Sequence, residues 1–378
     1  MEKYFSVPSV RVNILRSRHM DIKNSDQEKF LLNKYNYYNL VNGYKDPFLH
    51  HGSSTTERYI TGTKLSELEE LLKFDTNLRL LFLKQILKIE EIFKNQMVQS
   101  FFAYHLNNNV STKEEKANLH RDSEYLRRKY YNLNPLYTQH TINNYGIVST
   151  VVSSMRPRNQ HTTWDRQSTY DNYIATVYKT LGQQRRNKNK SIKTYLEQHG
   201  YMPMWVLMNV LTFGNVSHLF TLQKEEVQKD IIRSLNLISL PGISTQLSVV
   251  NTARILQILS IFRNICAHNE RFYNTSIKVP IDDIFINFGR KLPHTVDPSS
   301  GRRLNDSQKK KRLNARQGIY ALIFIISLFI DNSELDSFIK EIRDELNKLS
   351  QVLTTIPISE IERLMGLNFN WFDLIKNK

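Results

Sequence analysis

One helical pattern dominates the sequence and runs from residue 63 to residue 104. Apolar side chains recur there every three or four residues, and neither Gly nor Pro interrupts the pattern. The stretch is longer than an average helix, so a break inside it is also compatible with the sequence. Thr63 is expected to cap its start. A helix of this length must pack one apolar face against other elements. We expect that face to consist of Leu78, Phe82, Ile86, Ile89 and Phe93.

The rest of the chain also favours helices. Its 378 residues include only 12 Gly and 10 Pro, whereas a β-sandwich of this length would need many more turn residues. Hydrophobic residues make up 40% and charged residues 23%, which is typical of a globular protein rather than a disordered one. The sequence therefore predicts an all-α fold. Further helices are expected at about residues 26–34, 204–220, 246–273, 319–330 and 335–353.

Several of these helices have predicted core faces. Trp205 and Phe213 are assigned to the core of the segment 204–220. Along 335–353, apolar residues alternate at spacings of four and three, which suits a partner helix either within the chain or across a dimer. The helix 246–273 is expected to bury Ile255, Leu259, Phe262 and Cys266.

The chain divides into an arm and a helical domain. Residues 1–62 are predicted to form a loop-rich arm, because Asn42-Gly43 and Asp46-Pro47 are turn signals. Residues 63–378 form the predicted helical domain. Within it, 106–200 should be a polar, basic insertion of shorter helices and loops outside the main core, and 302–316 a basic loop. Three arm tyrosines are expected to pack on the core, with stacking on unpaired bases as the alternative; these are Tyr37, Tyr38 and Tyr44.

A large positive charge indicates a polyanionic partner. There are 52 Lys and Arg against 36 Asp and Glu, a formal net charge of +16. RNA fits this excess, and a merely solvated basic surface remains the alternative. Two basic segments are candidate RNA contacts or, equally, solvated loops. They contain Arg185, Arg186, Lys188, Lys190, Arg302, Arg303, Lys309, Lys310, Lys311 and Arg312.

Other features narrow the compartment and the cofactors. Cys266 is the single cysteine, which excludes an intramolecular disulfide and favours a reducing, cytoplasmic compartment. Residues 1–20 lack the apolar core of a signal peptide, and the most apolar run, 319–330, is too short to cross a bilayer and is expected to be a buried core helix. No membrane association is expected. Because no cluster of His, Asp and Glu has metal-ligand spacing, we expect neither a metal nor another cofactor.

The segment 263–274 carries the residues best suited to phosphate chemistry. On a helix, Asn264, His268 and Arg271 are spaced i, i+4 and i+7, within about 40–60° of one another. Arg263 lies at the edge of that face. Arginine binds phosphate oxygens and offsets transition-state charge, and histidine exchanges protons near neutral pH. The alternative interpretation is that His268 is a structural hydrogen-bonding residue.

RNA supplies its own nucleophile, the 2′-hydroxyl, so these residues suffice without a metal. One helix, however, provides a single histidine. A base and an acid together would need a second copy of the site, which a homodimer would supply.

Four blocks of the sequence, in order, resemble the bacterial abortive-infection family that contains the AbiD and AbiF proteins. The last block, RNICAHNERFYN, also resembles the R-x4–6-H motif of HEPN ribonucleases. Thr212 stands where Ser is usual in the family, Phe272-Tyr273 replaces a more typical Leu-Trp, and the segments 106–200 and 302–316 match no motif. The blocks are residues 37–48 (YYNLVNGYKDPF), 73–81 (KFDTNLRLL), 203–217 (PMWVLMNVLTFGNVS) and 263–274.

This resemblance implies an HEPN-type helical bundle that acts as a homodimer with a composite site. It further implies a growth-arresting endoribonuclease used against phage, and some relatives are encoded beside a structured noncoding RNA that is expected to restrain them. His268 would be the acid/base, Arg263 and Arg271 would stabilise the phosphate, and Asn264 would orient His268 or hold substrate. Two alternatives are a noncatalytic protein that clamps a structured RNA and a purely structural helical protein.

Overall fold

The computed structural model describes residues 6–50, 57–142, 148–153, 161–186, 190–237, 245–279, 281, 302–305, 317–367 and 371–376. Helices account for most of these residues, so the predicted all-α class is confirmed. The first half contains α1 (Pro8–Ser17), α2 (Ser25–Lys34), α3 (Leu65–Asn108), α4 (Lys113–Asn118), α5 (Asp122–Tyr125), β1 (Leu136–Ile142), β2 (Val148–Ser153) and β3 (His161–Trp164). The second half contains α6 (Arg166–Arg186), α7 (Lys190–His199), α8 (Met204–Leu207), α9 (Phe213–Leu222), α10 (Glu225–Ser234), α11 (Thr245–Ala267), α12 (Ile319–Ser327), α13 (Asn332–Val352), α14 (Ile358–Met365) and α15 (Trp371–Lys376).

Helix α3 is the central element and runs without a break for 44 residues. Its predicted apolar face is fully buried, which confirms that assignment. Thr63 is not the N-cap, because its hydroxyl donates to the carbonyl of Ile60 and the helix begins two residues later. The carboxylate of Glu67 instead accepts from the backbone N–H of Lys64 and satisfies one donor at the helix start.

Helices α10, α11 and α13 pack along α3. The apolar repeat of α13 faces α3, so its partner helix lies within the chain. Every side chain of α12 is buried, as predicted for a core helix. The chain continues through α14 and α15, which were not predicted. Within the described ranges, no helix is both long and apolar enough to cross a membrane.

The predicted helix 204–220 is divided into α8 and α9. The hydroxyl of Thr212 accepts from the N–H of Asn215 and caps α9. Phe213 is buried as predicted, but Trp205 is 48% exposed, so its assignment to the core was wrong. At Gly214, a Cβ would approach Ser260 Oγ to 3.2 Å, and the missing side chain therefore lets α9 lie close to α11.

The N-terminal arm contains more helix than predicted. Helix α2 matches the expected segment, whereas α1 was missed. Tyr44 is buried and Tyr37 is half-buried, as the packing interpretation requires. Tyr38 instead lies on a π-helical turn, Tyr38–Asn42, with 71% of its surface exposed.

Residues 106–200 differ most from expectation. They contain a three-stranded antiparallel sheet of order β2-β1-β3, where only helices and loops were predicted. The same region also joins the main core, because several of its tyrosine rings are buried there, most of them with a hydroxyl that finds an acceptor. Tyr125 donates to Met202 O at 2.9 Å, Tyr131 to Tyr125 O at 2.9 Å, and Tyr170 to Leu126 O. A polar, Tyr-rich stretch of sequence can thus belong to the hydrophobic core.

Candidate functional site

Helix α11 ends at Ala267, six residues before the predicted end. Asn269 has a positive φ of 59°, the left-handed conformation that terminates helices and that Asn tolerates better than most residues. The N–H of His268 still donates to Asn264 O at 2.9 Å, and the N–H of Glu270 donates to Ile265 O at 3.1 Å. Asn264 and His268 therefore lie one helical turn apart, but Arg271 does not continue their face. That part of the spacing argument was wrong.

The buried carboxylate of Asp75, on α3, holds the chain that follows α11. It accepts from the N–H of Tyr273 at 2.6 Å and from the N–H of Phe272 at 3.1 Å. The hydroxyl of Tyr44 also donates to it, at 2.8 Å. Burial and the adjacent Asp75 carboxylate raise the pKa of Tyr44 above its ordinary value, so this hydroxyl stays a proton donor.

Arg79, one turn further along α3, binds the same turn. Its guanidinium donates to Asp75 at 2.7 Å and to Glu270 O at 2.8 Å. A second nitrogen donates to the side chain of Asn269 and to Thr76 Oγ1. We call Asp75, Arg79 and Tyr44, with the turn 269–273 that they hold, the Asp75 clamp.

Arg271 joins this turn to the N-terminal arm. Its Nη1 donates to Gly43 O at 2.8 Å and to Asp46 Oδ2 at 3.0 Å. The rings of Tyr44 and Tyr273 stack beside it, with centroids 6.1 Å apart. Arg271 therefore has a structural role in addition to the role at the phosphate that was predicted from the sequence.

Arg263 faces α3 on the other side of the helix end. Its Nε lies 3.8 Å from Oε2 of Glu90, and neither atom has a hydrogen-bond partner in the described residues. The other oxygen of Glu90 pairs with Lys94 at 2.7 Å. The Arg263 side chain is 35% exposed. No hydrogen bond between Arg263 and His268 occurs among the described residues.

His268 and Asn264 are exposed, and neither side chain has a partner in the part of the chain that is described. His268 lies on the rim of a polar groove of about 950 Å³, which is bounded by the arm, α3 and the turn after α11. The groove is rich in carboxamides. Its lining includes Lys34, Tyr35, Asn36, Tyr38, Asn39, Asn42, Lys73, Thr76, Asn77, Asn269, Glu270 and Arg271.

Most of the arm side of this groove was missed as a site, although the sequence contains a signal for it. Asparagines recur every third residue at 33, 36, 39 and 42, immediately before the Gly43-Tyr44 block. The last three line the groove. Of the arm residues that line the groove, only Tyr38 and Tyr44 were considered for ligand contact, and packing was the preferred interpretation.

The predicted basic segments lie partly within the described residues. Arg185 and Arg186 are exposed at the end of α6, and Lys190 begins α7. Arg302 and Arg303 are exposed. The remaining members, Lys188, Lys309, Lys310, Lys311 and Arg312, lie outside the described residues.

Catalysis by a cysteine nucleophile and catalysis by a metal ion find little support at this site. Burial raises the pKa of the Cys266 thiol to about 12, so the thiolate that a nucleophile requires is scarce near neutral pH. Among the described residues, no group of three or more His, Cys, Asp and Glu side chains could hold a metal ion.

The fold and the site define a helical protein with an exposed histidine at a polar groove. The chain belongs to the Abi-like protein family, whose model matches residues 30–274. This range includes the Asp75 clamp, the groove and α11. Membership of the family supports a function in abortive infection. No match was found among curated proteins or among solved structures.

Proposed function

We propose that this protein is an abortive-infection endoribonuclease of the AbiD and AbiF type, with an HEPN site that works without a metal. One observation carries the proposal: the imidazole of His268 is exposed and unpartnered among the described residues, yet its backbone is fixed. The Asp75 clamp begins at the next residue and holds the turn. A group held in this way can transfer protons to a bound substrate.

The reaction is an attack of the RNA 2′-hydroxyl on the adjacent phosphorus. His268 removes the 2′-hydroxyl proton as the new P–O bond forms. The bond to the 5′-oxygen breaks, and a second acid protonates that leaving oxygen. The products are a 2′,3′-cyclic phosphate and a 5′-hydroxyl. A second copy of the chain would supply the acid through its own His268, so we propose a homodimer as the active form.

Arg263 is the proposed partner of the phosphate. Its Nε lies 3.8 Å from Oε2 of Glu90, neither atom has a hydrogen-bond partner in the described residues, and the Arg263 side chain is about one third exposed. Because no hydrogen bond holds Arg263 to Glu90, its side chain can turn toward a phosphate. Asn264, one turn before His268, would orient the imidazole or hold the substrate. Arg271 contributes positive charge at the groove while it anchors the arm.

A rival function is noncatalytic binding of a structured RNA, which in some relatives is a neighbouring noncoding RNA that could also restrain an active enzyme. The ion pair of Arg271 with Asp46 favours the rival, since it holds that arginine to the arm rather than to a phosphate. In this alternative the exposed basic residues, such as Arg185 and Arg186, hold RNA and no bond is cleaved.

Induction of His268→Ala in bacteria, followed by sequencing of new RNA 5′ ends, separates the two functions. General acid–base catalysis contributes about 10²–10⁴-fold, so we expect new ends and growth arrest with the wild type and their loss in the variant. His218→Ala is the matched control, because His218 is an exposed histidine on α9 that does not line the groove. It should behave as the wild type.

The purified proteins give the second half of the test. Cleavage should persist in excess chelator and leave 5′-hydroxyl ends. Equal RNA binding by wild type and His268→Ala, with no cleavage by either, would establish the binding function instead. Cleavage that requires Mg²⁺ and leaves a 3′-hydroxyl would refute the proposed mechanism.

A further inference from the structure

We infer that the arm side of the groove is a subsite for one unpaired nucleobase of RNA, with Tyr38 as its stacking platform. The inference rests on the proposed function for the identity of the ligand. It adds a specificity element that lies outside the motif at the end of α11. The subsite consists of Tyr38, Asn36, Asn39 and Asn42, and His268 lies on the rim of the same groove.

Tyr38 differs from Tyr35, Tyr37 and Tyr44 in that its side chain has no partner among the described residues. Tyr35 donates to Glu69 at 2.9 Å, and Tyr44 donates to Asp75 at 2.8 Å. Tyr37 carries the guanidinium of Arg11 over its ring, at 5.2 Å. Tyr38 is 71% exposed, its backbone N–H donates to Asn36 Oδ1 at 2.8 Å, and its carbonyl accepts from the backbone N–H of Gly43. A ring fixed at its backbone and open on its surface can stack on a base.

The carboxamides beside Tyr38 suit the edges of a base. A carboxamide offers both a donor and an acceptor, as the Watson–Crick edge of a nucleobase does. The side chains of Asn39 and Asn42 have no partners in the described part of the chain, and Asn36 uses its oxygen for Tyr38 and keeps its NH2 group. Stacking and edge contacts together need an unpaired base, because pairing hides that edge.

The charges of the groove favour a base over a phosphate at this position. Lys34 pairs with Glu69 at 3.2 Å, and Lys73 pairs with Glu70 at 2.7 Å. Arg271 is likewise paired with Asp46. A phosphate would have to compete with these carboxylates. A base has no charge and stacks without disturbing them, so the contribution of Tyr38 should not depend on salt.

The test measures binding of a short fluorescent single-stranded RNA of mixed sequence to His268→Ala protein, so that cleavage does not interfere. Adding Tyr38→Ala should weaken binding about fivefold to 100-fold, the range for loss of one base–aromatic stack. Tyr38→Phe keeps the ring and should bind normally. Tyr178→Ala is the matched control, because Tyr178 is 57% exposed on α6 and does not line the groove.

Two further conditions sharpen the result. The loss caused by Tyr38→Ala should be the same at low and high salt, and it should be absent with a duplex of the same sequence. Equal binding by the Tyr38→Ala and Tyr178→Ala proteins would overturn the subsite. So would an equal loss for single strand and duplex, or failure of the His268→Ala parent to bind single-stranded RNA at low salt.

The outcome of this test for the subsite is independent of the outcome for the proposed function. If Tyr38→Ala weakens binding but wild-type protein never cleaves RNA, the subsite stands and the ribonuclease proposal falls. If wild-type protein cleaves RNA but Tyr38→Ala binds normally, the ribonuclease proposal stands and the subsite falls.

Discussion

The two halves of the segment 263–274 differ in what surrounds them. The second half, from Asn269 to Tyr273, is held by the Asp75 clamp through backbone and side-chain bonds. The first half ends at His268, whose side chain is exposed and without a partner in the described residues. A single continuous motif therefore contains both an anchor and a presented group. The anchor fixes where the presented group lies.

Two of the sequence blocks hold a third. Asp75 and Arg79 belong to the block on α3, and Tyr44 and Asp46 belong to the arm block. The α3 block bonds directly to the turn after α11, and the arm block bonds to it through Asp46. Tyr44 reaches the turn through the carboxylate of Asp75.

The largest expected effect comes from breaking the anchor. Asp75→Ala should lower the free energy of unfolding by about 3–5 kcal/mol, because Arg79 is left as a buried charge without its carboxylate. Two backbone N–H groups would also lose their acceptor. Denaturant unfolding measures the change.

Asp46→Ala is the control for this prediction. Asp46 pairs with Arg271, and its side chain is 54% exposed, so the expected loss is at most about 1 kcal/mol. Similar losses for Asp75→Ala and Asp46→Ala would contradict the distinction between a buried anchor and its exposed periphery.

A second prediction contrasts two histidines. His105, near the end of α3, is fully buried beside Phe101 and Tyr130, and its Nδ1 bonds to Asn109 at 3.0 Å. Burial lowers the pKa of His105 to about 4, whereas His268 is exposed. Between pH 6.5 and 4 the unfolded chain therefore binds more protons at this position. The contribution of His105 to stability is present above pH 6.5 and is lost as the pH falls toward 4.

The difference between the pKa of His105 in the unfolded chain and in the fold corresponds to a loss of stability of up to about 3 kcal/mol. His105→Phe should flatten the fall in stability between pH 6.5 and 4, as measured by denaturant unfolding at several pH values. Equal pH dependence in wild type and His105→Phe would show that His105 does not stay neutral in the fold.

Local patterns predicted the helices well. The apolar faces of α3, α11, α12 and α13 are buried as expected, since helical periodicity depends on near neighbours alone. Predictions failed where contacts between residues far apart in the sequence determine the structure. Residues 106–200 looked too polar for a core, but their tyrosine hydroxyls find backbone acceptors that only the fold supplies.

The site was predicted in the same uneven way. Asn264 and His268 are exposed together, as their spacing indicated. The helix was extended through Arg271 although Asn is one of the residues that end helices in the left-handed conformation. That conformation accompanies bonds from Arg79, about 190 residues earlier in the sequence. Asp75 and Arg79 were noted only as parts of a resemblance and Tyr44 also as a packing residue, and their convergence on one turn depends on contacts that only the fold supplies.

The smallest expected effects separate the two arginines. Arg271→Ala removes a bond to Gly43 O and an exposed ion pair, so the free energy of unfolding should fall by about 1–2 kcal/mol. Arg263→Ala should change it by about 0.5 kcal/mol or less, because Glu90 keeps its contact with Lys94.

Denaturant unfolding of both variants, together with their RNA-cleavage rates, tests this division of roles between Arg263 and Arg271. Arg263→Ala should lose cleavage while the fold stays intact, since this arginine is free to turn toward the phosphate. A larger loss of stability for Arg263→Ala than for Arg271→Ala would reverse the roles of the two residues and place the anchor on the helix rather than after it.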